Sequence, residues 1–106
     1  MTNDVIHHTY GSMIKSFKCK DTEKLFNDVS VKKFISISRA ARIKLEVLNA
    51  APSLQSLRVP PGNRLERLKG NRKEQYSIQI NDQWRICFVW SKGNVLDVEI
   101  VDYHKG

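Results

Sequence analysis

Gln75-Tyr76-Ser77-Ile78-Gln79-Ile80-Asn81-Asp82-Gln83-Trp84-Arg85-Ile86-Cys87-Phe88-Val89-Trp90 is the stretch whose pattern decides the fold. Tyr76, Ile78 and Ile80 alternate with Gln75, Ser77 and Gln79; Trp84, Ile86, Phe88 and Trp90 alternate with Arg85, Cys87 and Val89. A period of two sends successive side chains to opposite faces of a strand, so each run predicts a β-strand with one apolar face. Asn81-Asp82 between the runs predicts a hairpin connection. Lys92-Gly93-Asn94 supplies the next turn, after which Leu96, Val98 and Ile100 oppose Asp97, Glu99 and Val101 in a further strand.

Upstream of this stretch the period is helical. Ile14, Phe17 and Cys19 predict a short first strand, and Asp21 then stands as an N-cap, with Glu23 in the first turn and Leu25, Phe26 and Val29 as a buried stripe. Ser36 is the expected N-cap of a longer helix, in which Ile37, Ala40, Ala41, Leu45 and Leu48 recur at helical spacing until Pro52 ends it. Pro60-Pro61-Gly62-Asn63 fits no regular element and marks a turn before a short strand at residues 65–68. Helices first and a meander afterwards define an α+β class: two N-terminal helices packed on a mainly antiparallel sheet of four to five strands.

A chain of 106 residues can bury one core and is too short for two ordinary domains. No run approaches the ~18 apolar residues that cross a bilayer, which argues against a membrane role. Cys19 and Cys87 are too few for a disulfide scaffold or a zinc site and read as reduced packing residues of a cytoplasmic protein. Residues 1–12 are polar, with His7-His8 and Gly11-Ser12 ahead of Met13, and read as a vector-derived leader or a disordered arm.

The net charge of +7 points to a polyanion. Arg58, Arg64, Arg67, Lys69, Arg72 and Lys73 stand against the single acid Glu66 within residues 58–73, so the excess forms a patch suited to a nucleic-acid partner rather than a diffuse bias. Arg85 lies mid-strand between apolar neighbours. A guanidinium there needs a partner, for which Asp82, Asp97 and Glu99 are available, or else an anion to bind. The strand at residues 95–101 runs into Asp102-Tyr103-His104, and His104 is the only histidine beyond the first eight residues. A histidine beside a carboxylate and a phenol in a basic chain suggests acid/base chemistry on a polyanion. Trp84 and Trp90 fit the core better than a base-stacking role.

From Met13 to His104 the chain resembles the HigB-like branch of the RelE/ParE toxin superfamily. The resemblance is carried by Ile14-Lys15-Ser16-Phe17, Pro60-Pro61-Gly62-Asn63-Arg64-Leu65-Glu66, Leu68-Lys69-Gly70-Asn71-Arg72, Gln75-Tyr76-Ser77-Ile78, Asn81-Asp82-Gln83-Trp84-Arg85-Ile86 and Val98-Glu99-Ile100-Val101-Asp102-Tyr103-His104. It implies a single RelE/HigB-like toxin domain over residues 13–106. It also implies a cytoplasmic, ribosome-dependent endonuclease that cuts translated mRNA in the A site without metal or other cofactor. The implied partners are the 70S ribosome with its message and a HigA-like helix-turn-helix antitoxin, the toxin alone being monomeric. Residues important in relatives map onto Lys69, Arg85, Asp102, Tyr103 and His104. Some relatives carry a histidine three residues before the lysine, where this chain has Glu66.

Those residue types suit attack by a 2′-hydroxyl on the adjacent phosphate. His104, whose side-chain type titrates near ~6.5, is the candidate general acid. Arg85 offers a fork of donors to the phosphoryl oxygens, and Lys69 adds a point charge or helps remove the proton. Asp102 orients His104 or acts as base, and Tyr103 stacks or hydrogen-bonds. Two other readings remain open: a ParE-like inhibitor that binds DNA gyrase without chemistry of its own, and a ribosome-binding module with weak nuclease activity.

Overall fold

The computed structural model describes residues 13–70 and 74–103; the expected leader, Arg72, Lys73 and His104 lie outside the described residues. Two α-helices, α1 (Lys20–Phe26) and α2 (Ser38–Asn49), precede four strands, β1 (Glu66–Arg67), β2 (Gln75–Gln79), β3 (Trp84–Ser91) and β4 (Asn94–Asp102). The strands form one antiparallel sheet in the order β1-β2-β3-β4. The α+β expectation holds, and no helix among the described residues is long and apolar enough to cross a membrane.

Helix α1 begins two residues earlier than expected. Cys19 takes the N-cap position with extended dihedrals, and its carbonyl accepts the Glu23 N–H. Asp21 therefore sits in the first turn, where a carboxylate still complements the helix dipole, and its side chain pairs with Lys33 at 3.4 Å. Ser36 is not a cap either, because it falls inside a 3-10 turn, Lys32–Ile37. Phe34 and Ile37 are both buried there, and a three-residue period places them on one side. Helix α2 follows at Ser38 and buries Ala41, Leu45 and Leu48, whereas Ala40 is exposed rather than part of the stripe.

The strand pattern is realised almost as written in β2 and β3. Ile78 pairs with Ile86, which pairs with Ile100, and all three face the helices in the core; Trp84 meets Phe34 edge-on at 5.6 Å. Strand β4 departs from simple alternation. Between its pairings of Glu99 with Cys87 and Leu96 with Val89 it carries one extra residue, and Asp97 adopts φ +52°. This bulge resets the parity, so Val95, Val98 and Ile100 are buried while Leu96 is only half-buried. The expected first strand contracts to two parallel bridges on the outer edge of β4, Ile14 with Val95 and Phe17 with Val98. Ser16 Oγ accepts the Asp97 N–H at 2.9 Å between those bridges, which satisfies the backbone that the bulge would leave unpaired. Asn49, at the end of α2, accepts the Ile14 N–H through Oδ1 and ties the same segment to the helix layer.

Candidate active site

Arg85 faces away from the helices, opposite in parity to Trp84 and Ile86, yet it is only 6% exposed. An unpaired guanidinium there would be costly, and four neighbours answer the cost. Nε donates to Ser77 Oγ at 2.8 Å on the adjacent strand, while Nη2 donates to the Ser77 carbonyl at 3.3 Å and the Arg64 carbonyl at 2.5 Å. The carboxylate partner is none of the three expected. It is Glu66, whose Oε1 lies 3.9 Å from Nη2, and Tyr103 sets its ring 5.4 Å from the guanidinium carbon.

Register explains why Glu66 wins. Glu66 pairs with Ser77 across β1 and β2, and Ser77 is the residue that Arg85 bonds, so the three side chains share one face. Of the expected acids, Glu99 is taken by Lys18 at 3.6 Å, and Asp97 turns to Ser16 at the bulge. The neutral acceptors fix Nε and Nη2, and the Glu66 carboxylate stands beside them as an ion pair. Among the described residues Nη1 has no hydrogen-bond partner, which leaves one amino group of the fork for a ligand.

Two clefts open around this arginine. One, of about 250 Å³, is lined by Arg64, Gln79, Asn81, Asp82, Arg85 and Tyr103; the other, of about 410 Å³, by Glu66, Arg67, Leu68, Lys69 and Tyr103. Tyr103 belongs to both and stands between them, 46% exposed. The structure thus brings together Lys69, Arg85, Tyr103, Arg64 and Arg67. Arg58 does not line either cleft, and its Nε is held by Gln55 at 2.6 Å.

Asp102 stands on the other side of the sheet. It pairs with Trp84 in the ladder, the helix-facing residue before Arg85, and its Oδ2 accepts Gln83 Nε2 at 3.0 Å. Its neighbour Tyr103 is anchored by the same residue, through a 2.6 Å bond from its N–H to the Gln83 carbonyl.

The supports of Arg85 were the residues that the sequence reading missed. Asn63 is fully buried, donates to the Leu57 and Val59 carbonyls at 3.1 and 3.3 Å, and accepts Lys44 from α2 through Oδ1. It fixes the 3-10 turn Pro61–Asn63, after which Arg64 takes a left-handed conformation with φ +46° and presents its carbonyl to Arg85. The only prior signal for this chain of contacts was the Pro-Pro-Gly-Asn turn itself.

The fold is a basic α+β domain that sets an anchored arginine, a lysine and a tyrosine around two adjoining clefts. The chain belongs to the HigB-like toxins, the family described as the RelE-like toxin of the type II toxin-antitoxin system HigB, whose model matches residues 15–104. It is similar to Toxin HigB-1 of Vibrio cholerae serotype O1, at 42% identity over 95 residues, covering 88% of this chain and 99% of that protein. It is also similar to Endoribonuclease HigB of Proteus vulgaris, at 33% identity over 98 residues, covering 87% of this chain and all of that protein. In a type II toxin-antitoxin system a protein antitoxin holds the toxin in check, so an antitoxin is a partner of this chain.

Proposed function

We propose that this toxin is a ribosome-dependent mRNA endonuclease, cleaving translated message in the A site by metal-independent attack of the 2′-hydroxyl on the neighbouring phosphate. The observation that carries the reading is Arg85: buried, held at Nε and Nη2 by acceptors, and bordering a cleft with Tyr103 over its guanidinium. A fork fixed in this way can receive phosphoryl oxygens without reorganising, which is how preorganised donors lower a barrier whose transition state gains negative charge. The Proteus vulgaris relative, named an endoribonuclease, supports the same class of chemistry.

In this reading Arg85 binds the scissile phosphate and Lys69, across Tyr103, adds positive charge to the phosphorane-like transition state. His104, two residues beyond Asp102, protonates the departing 5′-oxygen. Tyr103 restrains the guanidinium from above and offers its exposed edge to a base or ribose. Asp102, on the far side of the sheet, is suited to orienting the terminal residues through Gln83. Arg64 and Arg67 rim the clefts and, with Arg58, Arg72 and Lys73, form the docking surface for ribosomal RNA in the cytoplasm. The antitoxin is HigA-like, with a helix-turn-helix fold, and the free toxin is a monomer of one domain over residues 13–106.

The test is a purified translation reaction with a defined message: addition of the toxin should create new 5′ ends within the translated frame and none on ribosome-free RNA. A gyrase inhibitor would leave the message intact.

A further inference from the structure

Lys44, on α2, differs from every other described lysine in being half-buried rather than exposed, and no carboxylate among the described residues pairs with it. Its ammonium donates instead to Oδ1 of Asn63, a neutral amide that is fully buried. Drawing a cation partly out of water for an uncharged acceptor gains little stability, so what the contact secures is the orientation of the amide. We propose that Lys44 is a positioning residue that acts from the helix layer, through Asn63 and the Arg64 carbonyl, to aim the Arg85 guanidinium at the scissile phosphate; this rests on the nuclease reading above and extends it to a residue remote from the clefts.

The relay runs through one side chain. Asn63 Nδ2 donates to the Leu57 and Val59 carbonyls at 3.1 and 3.3 Å, and its Oδ1 end is the one that meets Lys44. The amide is thus clamped at both ends. Backbone bonds from the Asn63 N–H to the Pro60 carbonyl and from the Arg64 N–H to the Pro61 carbonyl close the turn around it. Arg64 leaves that turn with φ +46° and ψ +56°, a left-handed conformation that a residue bearing a Cβ holds only where its surroundings impose it. In that conformation its carbonyl accepts Arg85 Nη2 at 2.5 Å, while Ser77 Oγ accepts Nε at 2.8 Å.

Removing the Lys44 donor leaves Oδ1 as a buried acceptor without its partner. Relief comes from turning the amide or admitting water, and either loosens the turn that imposes the Arg64 conformation. Arg85 then keeps its charge and its Ser77 bond, and loses the fixed acceptor at Nη2. A misplacement of that kind lowers the rate of the chemical step and leaves the attraction for phosphate in place.

The experiment uses the full chain and Lys44→Met, which keeps most of the stem and drops the donor. Three quantities are read: the NMR signal of the Arg85 Nε–H in the free toxin, assigned by its loss in Arg85→Lys; single-turnover cleavage of ribosome-bound message; and ribosome affinity. In Lys44→Met the Nε–H signal should shift and exchange faster with solvent, and cleavage per folded molecule should fall by about 10–10²-fold with ribosome affinity unchanged. Lys44→Arg, which returns a donor on a long stem, should restore signal and rate together. In an Arg85→Lys background Lys44→Met should cost no further rate, because no fork is left to aim. An Nε–H signal identical to that of the parent overturns the proposal, as does a rate loss that only tracks the unfolded fraction. A matching loss of ribosome affinity also overturns it and makes Lys44 a docking charge. Should Lys44→Met not fold, Lys44→Gln, polar but shorter, is read in the same way. A parent that yields no cleavage on ribosomes removes the nuclease reading, and the Nε–H signal then decides by itself whether Lys44 positions Arg85.

Discussion

Arg85 Nη2 and the carbonyl oxygen of Arg64 are 2.5 Å apart, a contact in which a left-handed residue in a loop fixes the guanidinium of a central strand. The loop is fixed in turn by Asn63, so a buried asparagine in a turn and the buried arginine of β3 belong to one chain of hydrogen bonds. This arrangement separates two properties of Arg85, its charge and its orientation.

Arg85→Lys keeps the charge and discards the fork. Lysine presents one nitrogen and cannot hold Ser77 and the Arg64 carbonyl while also offering a second donor to phosphate. The expected outcome is a rate loss of about 10²–10³-fold, the scale of removing one preorganised donor, with ribosome affinity nearly unchanged. Single-turnover cleavage beside ribosome pelleting checks both halves. A variant that aggregates would instead mark the residue as a structural ion pair.

Asn63→Ala removes the donor that satisfies the Leu57 and Val59 carbonyls and the acceptor of Lys44. Leaving buried polar groups unpaired costs about 1–3 kcal/mol, so thermal unfolding should shift down by several degrees. Cleavage should fall as well in the folded fraction, because Arg64 loses the turn that aims its carbonyl. Chemical denaturation gives the first quantity and the rate per folded molecule the second; an unaltered rate would uncouple the turn from the site.

His104→Ala should leave the fold intact, since the residue lies beyond the last strand, and lower the cleavage rate by about 10²–10⁴-fold. Growth inhibition should vanish with it. Full activity of the folded variant in a purified translation reaction would remove the histidine from the mechanism.

Much of this site was legible from residue order, and what was not has a physical cause in each case. The runs of β2 and β3 read correctly because they pair with each other in unbroken register from Gln75–Val89 to Gln79–Arg85, so pattern and pleat coincide. The bulge in β4 hid because its backbone is satisfied by Ser16, far upstream in the chain, and nothing near Asp97 signals that partner. The acids near Arg85 in sequence misled for a similar reason: its carboxylate neighbour is set by the β1–β2 register, and a strand of two residues has too little pattern to reveal which face Glu66 takes. Lys69 and Tyr103 entered as candidate site residues through the resemblance, whereas their placement along a shared cleft depended on the fold, with the turn at Gly70 adopting φ +77°.

Ribosome docking should be electrostatic and separable from catalysis. Neutralising Arg67 and Lys73 together should weaken association and make the slope of log affinity against log salt shallower by about 1.4–1.8, from roughly 0.7–0.9 per phosphate contact. Cleavage of already bound complexes should change little. Ribosome pelleting over a salt series reads the slope; a slope equal to that of the parent would place docking elsewhere on the surface.

The most direct measurement maps message ends to single-nucleotide resolution in a purified translation system, with the parent chain and the Arg85→Lys variant side by side. The expected result is a set of new 5′-hydroxyl ends inside the translated frame, dependent on ribosomes, blocked by a 2′-deoxy nucleotide at the cut site, and strongly reduced by Arg85→Lys. Intact message in the presence of a growth-inhibiting parent, or ends that persist at the 2′-deoxy position, would contradict the account.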